Sequence, residues 1–115
     1  MTDFEINIHE AHGVTMVDVL GFLDAHTFES MQDTLDRVFA ANKFKIAINL
    51  EKVDYISSAG AGVFIGALGK AQEGNGDIVL MNPRPTVLEV FDLLGLTQIF
   101  TFAKSQKEAI AHFSS

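Results

Sequence analysis

The sequence contains no cysteine, and only eight of its 115 residues are lysine or arginine, against fifteen aspartate or glutamate. The absence of thiols excludes a disulfide framework, a cysteine nucleophile and a cysteine-based metal site, and it suits a reducing compartment. The shortage of basic side chains leaves a formal net charge of −7. Nucleic-acid phosphates and anionic membrane surfaces repel such a protein. We therefore expect no nucleic-acid partner and no membrane association.

Long apolar runs are also missing. The longest one, from Ala59 to Gly69, is too short to cross a bilayer. The amino terminus, Met1 to Glu5, is acidic and lacks the apolar core of a signal peptide. A hydrophobic content of 48% still allows a chain of this length to bury a core without disulfide or metal support. The sequence thus predicts one soluble, cytoplasmic domain over residues 1–115.

The common motifs of enzymes and metal sites are absent as well. Among the four histidines, His9 and His12 flank a predicted turn, but no second ligand stands at metal-site spacing. Gly60, Gly62 and Gly66 do not fit the dinucleotide-binding pattern G-x-G-x-x-G, and no lysine follows them as in a Walker loop. The serine pair described below does not lie in G-x-S-x-G. We expect no enzyme activity, no metal and no cofactor.

Strand and helix patterns alternate along the first half of the chain. Two strands flank a break at 10–13 and predict a β-hairpin. Asp24 then caps a predicted first helix, which Asn42 ends. A buried strand from about Phe44 to Leu50 follows and leads, through a short loop, into a second helix.

The second half continues the alternation. The second helix stops at 74–76, and the nearly continuous apolar segment Asp77–Met81 predicts a strand buried on both faces. A third helix is predicted from Pro85, with Gly95 just past its end, then a strand from Ile99 to Phe102, and a last helix after a capping box that begins at Ser105. The order β-β-α-β-α-β-α-β-α predicts a small α/β domain, with a mixed, mostly parallel sheet of about five strands and about four helices.

Two serines, Ser57 and Ser58, lie where the loop is predicted to become the second helix. A serine oxygen at that position accepts a hydrogen bond from a backbone N–H that has no partner within the helix. A helix amino terminus also carries roughly half a positive elementary charge, and it stabilises an exposed anion by about 0.3–1 kcal/mol. The residues alone favour plain helix caps, but a phosphoserine at this junction is compatible with the fold.

The second helix is apolar on every side. Its residues from Ala61 to Leu68 include no polar side chain, whereas a helix that covers a core on one side normally has a polar opposite face. Either the domain surrounds this helix or part of it contacts a partner. Gly60, Gly62 and Gly66 each cost up to about 1 kcal/mol relative to alanine in a helix interior, which predicts close packing by another element.

The element order, the segment Gly21–Asp24, the run from Ile56 to Gly62 and the segment from Pro85 to Leu96 resemble a STAS domain. More closely, they resemble the bacterial anti-sigma factor antagonists, and the similarity extends over nearly the whole chain. In that family the loop before the glycine-rich helix typically has the sequence Asp-Ser-Ser/Thr-Gly-Leu-Gly. This chain has Ser57 in place of the aspartate, and alanine at the third and fifth positions of the motif.

The resemblance implies a protein that binds an anti-sigma factor, itself a serine kinase, and is released when that kinase phosphorylates it. By position the phosphorylated residue is Ser58, with Ser57 as the alternative, and a phosphoserine phosphatase reverses the modification. We expect a monomer or weak dimer. The partner-binding residues implied by the match are Ser57, Ser58, Ala59, Gly60, Ala61, Gly62 and Ile65. Two other functions remain open, a non-switching scaffold or accessory subunit and a module that binds a small ligand or nucleotide.

Overall fold

The computed structural model describes residues 4–114, so the first three residues of the acidic amino terminus, Met1 to Glu5, lie outside the described residues. The elements are β1 Glu5–Ala11, β2 Val14–Leu23, α1 Phe28–Ala40, β3 Lys45–Ile56, α2 Ser58–Glu73, β4 Asp77–Met81, α3 Pro85–Leu93, β5 Thr101–Ala103 and α4 Gln106–Ser114. The five strands form a single sheet in the order β1-β2-β3-β4-β5. β1 is antiparallel to β2, whereas β2, β3, β4 and β5 are parallel to one another. The predicted α/β class and element order are confirmed.

The sheet separates two hydrophobic cores. Side chains on a strand alternate between its faces, so Ile46 and Ile48 of β3 enter one core while Ala47 between them enters the other. The first and larger core lies under α1, α2 and α3, with Phe64 at its centre. The second core is formed by the opposite face of the sheet and α4, which contributes Ala109. α2 and α4 therefore lie on opposite sides of the sheet.

The predicted hairpin is confirmed, because His12 and Gly13 both take positive φ values, of 53° and 80°, as a two-residue type I′ turn requires. The predicted start of α1 is wrong. α1 begins at Phe28, after Thr27, and the Asp24 carboxylate instead accepts a hydrogen bond at 2.9 Å from the backbone N–H of His26. Asp24 therefore stabilises a separate turn before the helix.

The last strand is shorter than predicted and begins later. β5 contains only Thr101–Ala103, and Ile99 is 50% exposed. The backbone N–H groups of Ile99 and Phe100 both donate to the carbonyl oxygen of Leu96, so this segment forms a turn. The apolar run that predicted the strand is divided between that turn and the sheet.

β3 is longer than predicted, and this places the serine pair. It pairs with β4 only from Lys45 to Asn49, but it continues beside β2 as far as Ile56, which lies opposite Leu23. The predicted loop between β3 and α2 is therefore a single residue, Ser57. Because the carboxyl-terminal part of β3 extends beyond β4, α2 begins past the carboxyl end of β4, where β3 is paired with β2 alone.

Candidate functional site

Ser57 is the N-cap of α2. Its backbone is extended, with φ −98° and ψ 172°, and its Oγ accepts a hydrogen bond at 3.2 Å from the backbone N–H of Gly60. Its own N–H donates to the carbonyl oxygen of Leu23 at 2.9 Å. The residue is half-buried between the end of β2 and the helix. The Ser57 hydroxyl is therefore engaged in holding the strand-to-helix junction.

Ser58 is the first residue of α2 and is exposed. Its hydroxyl forms no side-chain hydrogen bond with residues 4–114. Because Ser58 lies in the first turn, where backbone N–H groups lack partners within the helix, its surroundings favour negative charge. The two adjacent serines therefore have different environments: the hydroxyl of Ser57 supports the helix, and that of Ser58 is available to other molecules.

The outer face of α2 is apolar and uncovered in the described chain. After Ser58 it presents Ala59, Gly62, Ile65 and Gly66, and the Ile65 side chain is 45% exposed. The inner face is buried and includes Phe64. The domain therefore covers only the inner face of α2, and the interpretation in which the domain surrounds the helix is wrong.

Of the predicted partner-binding residues, Gly60 and Ala61 lie on the inner face of α2, where Ala61 is 0% exposed. A Cβ atom at Gly60 would lie 2.6 Å from the carbonyl oxygen of Leu23, so the predicted close packing is correct there. It is wrong for Gly62 and Gly66, because a Cβ atom at either position meets nothing within 4 Å. The exposed glycines flatten the outer face and are not needed for packing within the domain.

Two exposed aromatic rings lie beside the serines. Phe22 and Tyr55 are paired in the β2–β3 register, their ring centroids are 6.0 Å apart, and their side chains are 47% and 49% exposed. Phe22 precedes the buried Leu23, and Tyr55 precedes the buried Ile56. Ser57 follows Ile56 in the chain and donates its N–H to Leu23. The sequence analysis missed this pair, although the outward position of both residues follows from strand alternation.

A groove of about 220 Å³ separates α1 from the outer face of α2. Phe28 borders it on α1, and Gly62 and Gly66 border it on α2. Lys70 and Asp36 also line the groove, and the ion pair between them, with a separation of 3.0 Å, connects the two helices. The groove is open because the two glycines carry no side chain that would fill it.

Arg84 connects α3 to the extended end of β3. Its Nε donates to the carbonyl oxygen of Glu51 at 2.8 Å, and its guanidinium forms an ion pair with Asp54. Both contacts lie in the part of β3 that has no β4 neighbour. Arg84 therefore positions the strand end that carries the serines, and no local pattern indicates this long-range contact.

Within residues 4–114, no group of three or more histidine, cysteine, aspartate or glutamate side chains is placed to hold a metal ion. Among the helices that the structure describes, none has the length and apolarity needed to span a bilayer.

Comparison with known proteins assigns the fold to a family. The family description "STAS domain" matches residues 5–109. The anti-sigma-B factor antagonist of Listeria monocytogenes is 27% identical over 90 residues, which are 78% of this chain and 79% of that protein. The anti-sigma factor antagonist SpoIIAA in its unphosphorylated form is 26% identical, with a TM-score of 0.80 over 97% of this chain and 96% of that one. The Bacillus cell fate determinant SpoIIAA in the phosphorylated form is 24% identical, with a TM-score of 0.72 over 96% and 99% of the two chains. The chain therefore belongs to the STAS domain family.

Proposed function

We propose that this protein is an anti-sigma factor antagonist and that phosphorylation of Ser58 controls its binding to an anti-sigma factor that is also a serine kinase. The observation that carries the proposal is the exposed Ser58 hydroxyl at the amino terminus of α2, beside an uncovered apolar helix face. The names of the relatives support the regulatory role. A cytoplasmic location, a phosphoserine phosphatase as second partner and a monomeric or weakly dimeric state belong to the same proposal.

The hydrogen bonds favour Ser58 over Ser57 as the acceptor. The Ser57 hydroxyl is half-buried and already accepts from the N–H of Gly60, so a kinase must draw it away from the junction before it can modify it. The Ser58 hydroxyl is exposed and has no hydrogen bond within the described chain to break. Ser58 is therefore the more accessible acceptor.

In the unphosphorylated state the partner covers Ser58, the outer face of α2 at Ala59, Gly62 and Ile65, and the neighbouring Phe22–Tyr55 pair. Exposed aromatic side chains of this kind often supply much of the binding energy of an interface. The glycines let the partner's backbone approach the helix closely. Nothing in the domain has to move for this surface to form, because it is already exposed.

Phosphorylation adds about 1.5 to 2 negative charges. The amino terminus of α2 stabilises such a charge by at most about 2 kcal/mol, but burial of the same charge against a partner costs about 2–5 kcal/mol when no counter-charge pairs with it. Each difference of about 1.4 kcal/mol changes the affinity about tenfold. The interface therefore dissociates while the domain stays folded.

The test is to incubate the protein with its cognate kinase and ATP and to locate the modification by mass spectrometry. We expect one phosphoryl group on Ser58, none in Ser58→Ala, and retention of it in Ser57→Ala. Ser58→Asp should keep the melting temperature near the unmodified value and weaken kinase binding by about tenfold or more. Unchanged binding by Ser58→Asp, or modification confined to Ser57, would contradict the switch.

Gly62→Leu tests the docking face separately from the phosphate. A Cβ atom at Gly62 meets no atom of the domain within 4 Å, and the residue borders the open groove beside α1, so the variant should fold with normal stability. The added leucine would hold a partner's backbone away from α2, and we expect binding to fall about tenfold or more. Normal binding would show that the partner docks elsewhere.

The same uncovered face of α2 would also serve a non-switching scaffold. Size-exclusion chromatography of the unphosphorylated protein separates the two functions, since a scaffold elutes as a large assembly and a switch as a monomer or small dimer. Elution as a large assembly that persists in Ser58→Asp would favour the scaffold.

A further inference from the structure

A second crevice lies at the carboxyl ends of β4 and β5, away from the serines. The chain leaves β4 through α3, which lies over the first core, and leaves β5 into α4, which lies over the second core. Two adjacent parallel strands whose connections run to opposite faces leave an opening between their carboxyl ends, and α/β sheets bind ligands at such a switch point. The opening here has a volume of about 530 Å³, within the range of about 300–1,000 Å³ that holds small molecules.

The walls of this crevice combine apolar surface with charges that have no ion-pair partner. Pro83, Leu88 and Phe102 supply apolar surface. Lys104 and Glu108, on either side of the start of α4, also line it, and within residues 4–114 neither forms an ion pair. An ammonium and a carboxylate are thus both available at one edge of an apolar crevice.

The charges of the lining restrict the ligand. A simple anion would meet Glu108, and it would also meet Asp92, whose carboxylate already accepts a hydrogen bond from Thr97 at 2.8 Å. A simple cation would meet Lys104. A nucleotide brings several negative charges to a lining with two carboxylates and one ammonium, in a protein of net charge −7. A zwitterion satisfies both charges, and an apolar side chain on it would cover the apolar wall.

We propose that this crevice binds a small α-amino acid with an apolar side chain. Lys104 Nζ donates to the ligand carboxylate, the Glu108 carboxylate accepts from the ligand ammonium, and Leu88 and Phe102 contact its side chain. The crevice shares no lining residue with the serine site or with the groove between α1 and α2. The inference therefore stands independently of the proposed function.

The test is a nuclear magnetic resonance titration of the ¹⁵N-labelled protein with L-leucine at millimolar concentrations. We expect saturable shifts of the backbone amides of Leu88, Phe102 and Lys104. Isoamylamine lacks the carboxylate, and 4-methylpentanoate lacks the ammonium. The affinity for each should be lower than that for leucine by a factor of about ten or more, because each loses one charge-assisted hydrogen bond.

The variants Lys104→Gln and Glu108→Gln should each weaken leucine binding by about tenfold or more. Lys107→Gln is the matched control, because Lys107 is exposed on the same helix start but does not line the crevice. Three results would overturn the proposal: no saturable shift, shifts confined to residues outside the crevice, or equal binding of the amine or the acid alone. None of these results bears on Ser58.

Discussion

Substitution of Gly60 by alanine tests how closely α2 is held against the sheet. An added Cβ atom would lie 2.6 Å from the carbonyl oxygen and 2.9 Å from the Cγ atom of Leu23. That carbonyl oxygen has little freedom to move, because it accepts a hydrogen bond at 2.9 Å from the N–H of Ser57. The helix or the end of β2 must therefore shift to admit one methyl group.

The magnitude follows from two opposing effects. Overpacking of a rigid site costs about 1–3 kcal/mol, while replacement of glycine by alanine in a helix gains about 0.5–1 kcal/mol. We expect Gly60→Ala to lower the free energy of unfolding by up to about 2.5 kcal/mol. Gly66→Ala is the matched control on the same helix, since its Cβ atom meets nothing within 4 Å, and it should raise that free energy by about 0.5–1 kcal/mol.

Urea denaturation followed by circular dichroism measures both variants against the parent protein. The urea concentration at the midpoint of unfolding should fall for Gly60→Ala and rise for Gly66→Ala. The slope m should stay constant, because neither substitution alters the surface exposed on unfolding. If Gly60→Ala were as stable as Gly66→Ala, the close approach of α2 to Leu23 would not limit packing, and the reasoning that assigns the two glycines different roles would be refuted.

Three further predictions concern stability. Ser57→Ala should lower the free energy of unfolding by about 1 kcal/mol through loss of the N-cap, and Ser58→Ala should leave it nearly unchanged, as measured by thermal unfolding. Gly76→Ala should lower the free energy of unfolding by about 2 kcal/mol or more, as measured by urea denaturation, since its Cβ atom would clash with the backbone carbonyl oxygen of Phe44; a stable variant would contradict that contact. The hydrogen bond to the Lys43 ammonium lowers the pKa of Glu10 below its ordinary value of 4.5, so this exposed pair stabilises the fold above that pH and loses its effect as the pH falls through the lowered pKa. Glu10→Gln should therefore cost about 0.2–1 kcal/mol at neutral pH and nothing in strong acid, and a cost that is equal at both pH values would exclude this ion pair as its cause.

Features that depend on neighbouring residues were predictable from the sequence. The turn at His12 and Gly13, the end of α1 at Asn42 and the end of α3 at Gly95 require positive φ values, and all four residues have them. At Gly13, Asn42 and Gly95 these conformations follow from residue type, because glycine and asparagine tolerate the left-handed region. His12 adopts the same region because the two-residue turn requires it. The cap at Ser57 is local in the same way.

Features that depend on pairing across the sheet were not predictable. β3 continues to Ile56 because β2 lies beside it as far as Leu23, and nothing in the local pattern indicates where that pairing ends. At the end of β3, local residue preference is therefore weaker than tertiary context. The late start of α1 has a local cause instead, because two alternatives compete for the Asp24 carboxylate and it accepts from the nearby N–H of His26 rather than capping the helix.

The candidate site shows the same division. The serines and the apolar helix were evident in the sequence. That Gly60 packs closely while Gly62 has no neighbour depends on the position of Leu23, which the local sequence does not show. The proximity of Phe22 and Tyr55 depends on the register between β2 and β3. The sequence does not show which residues of two separate strands lie opposite each other. A family motif locates a site, and the geometry decides which of its residues reach the surface.

The extension of β3 beyond β4 has a consequence for self-association. An unpaired strand border exposes backbone groups on which another molecule can template fibrillar growth. Here Arg84 occupies one such group, the carbonyl oxygen of Glu51, and places its charge beside Asp54 along that border. A second molecule must displace this guanidinium before it can add a strand along this part of β3, so the serines can lie beside an unpaired strand border that is itself protected.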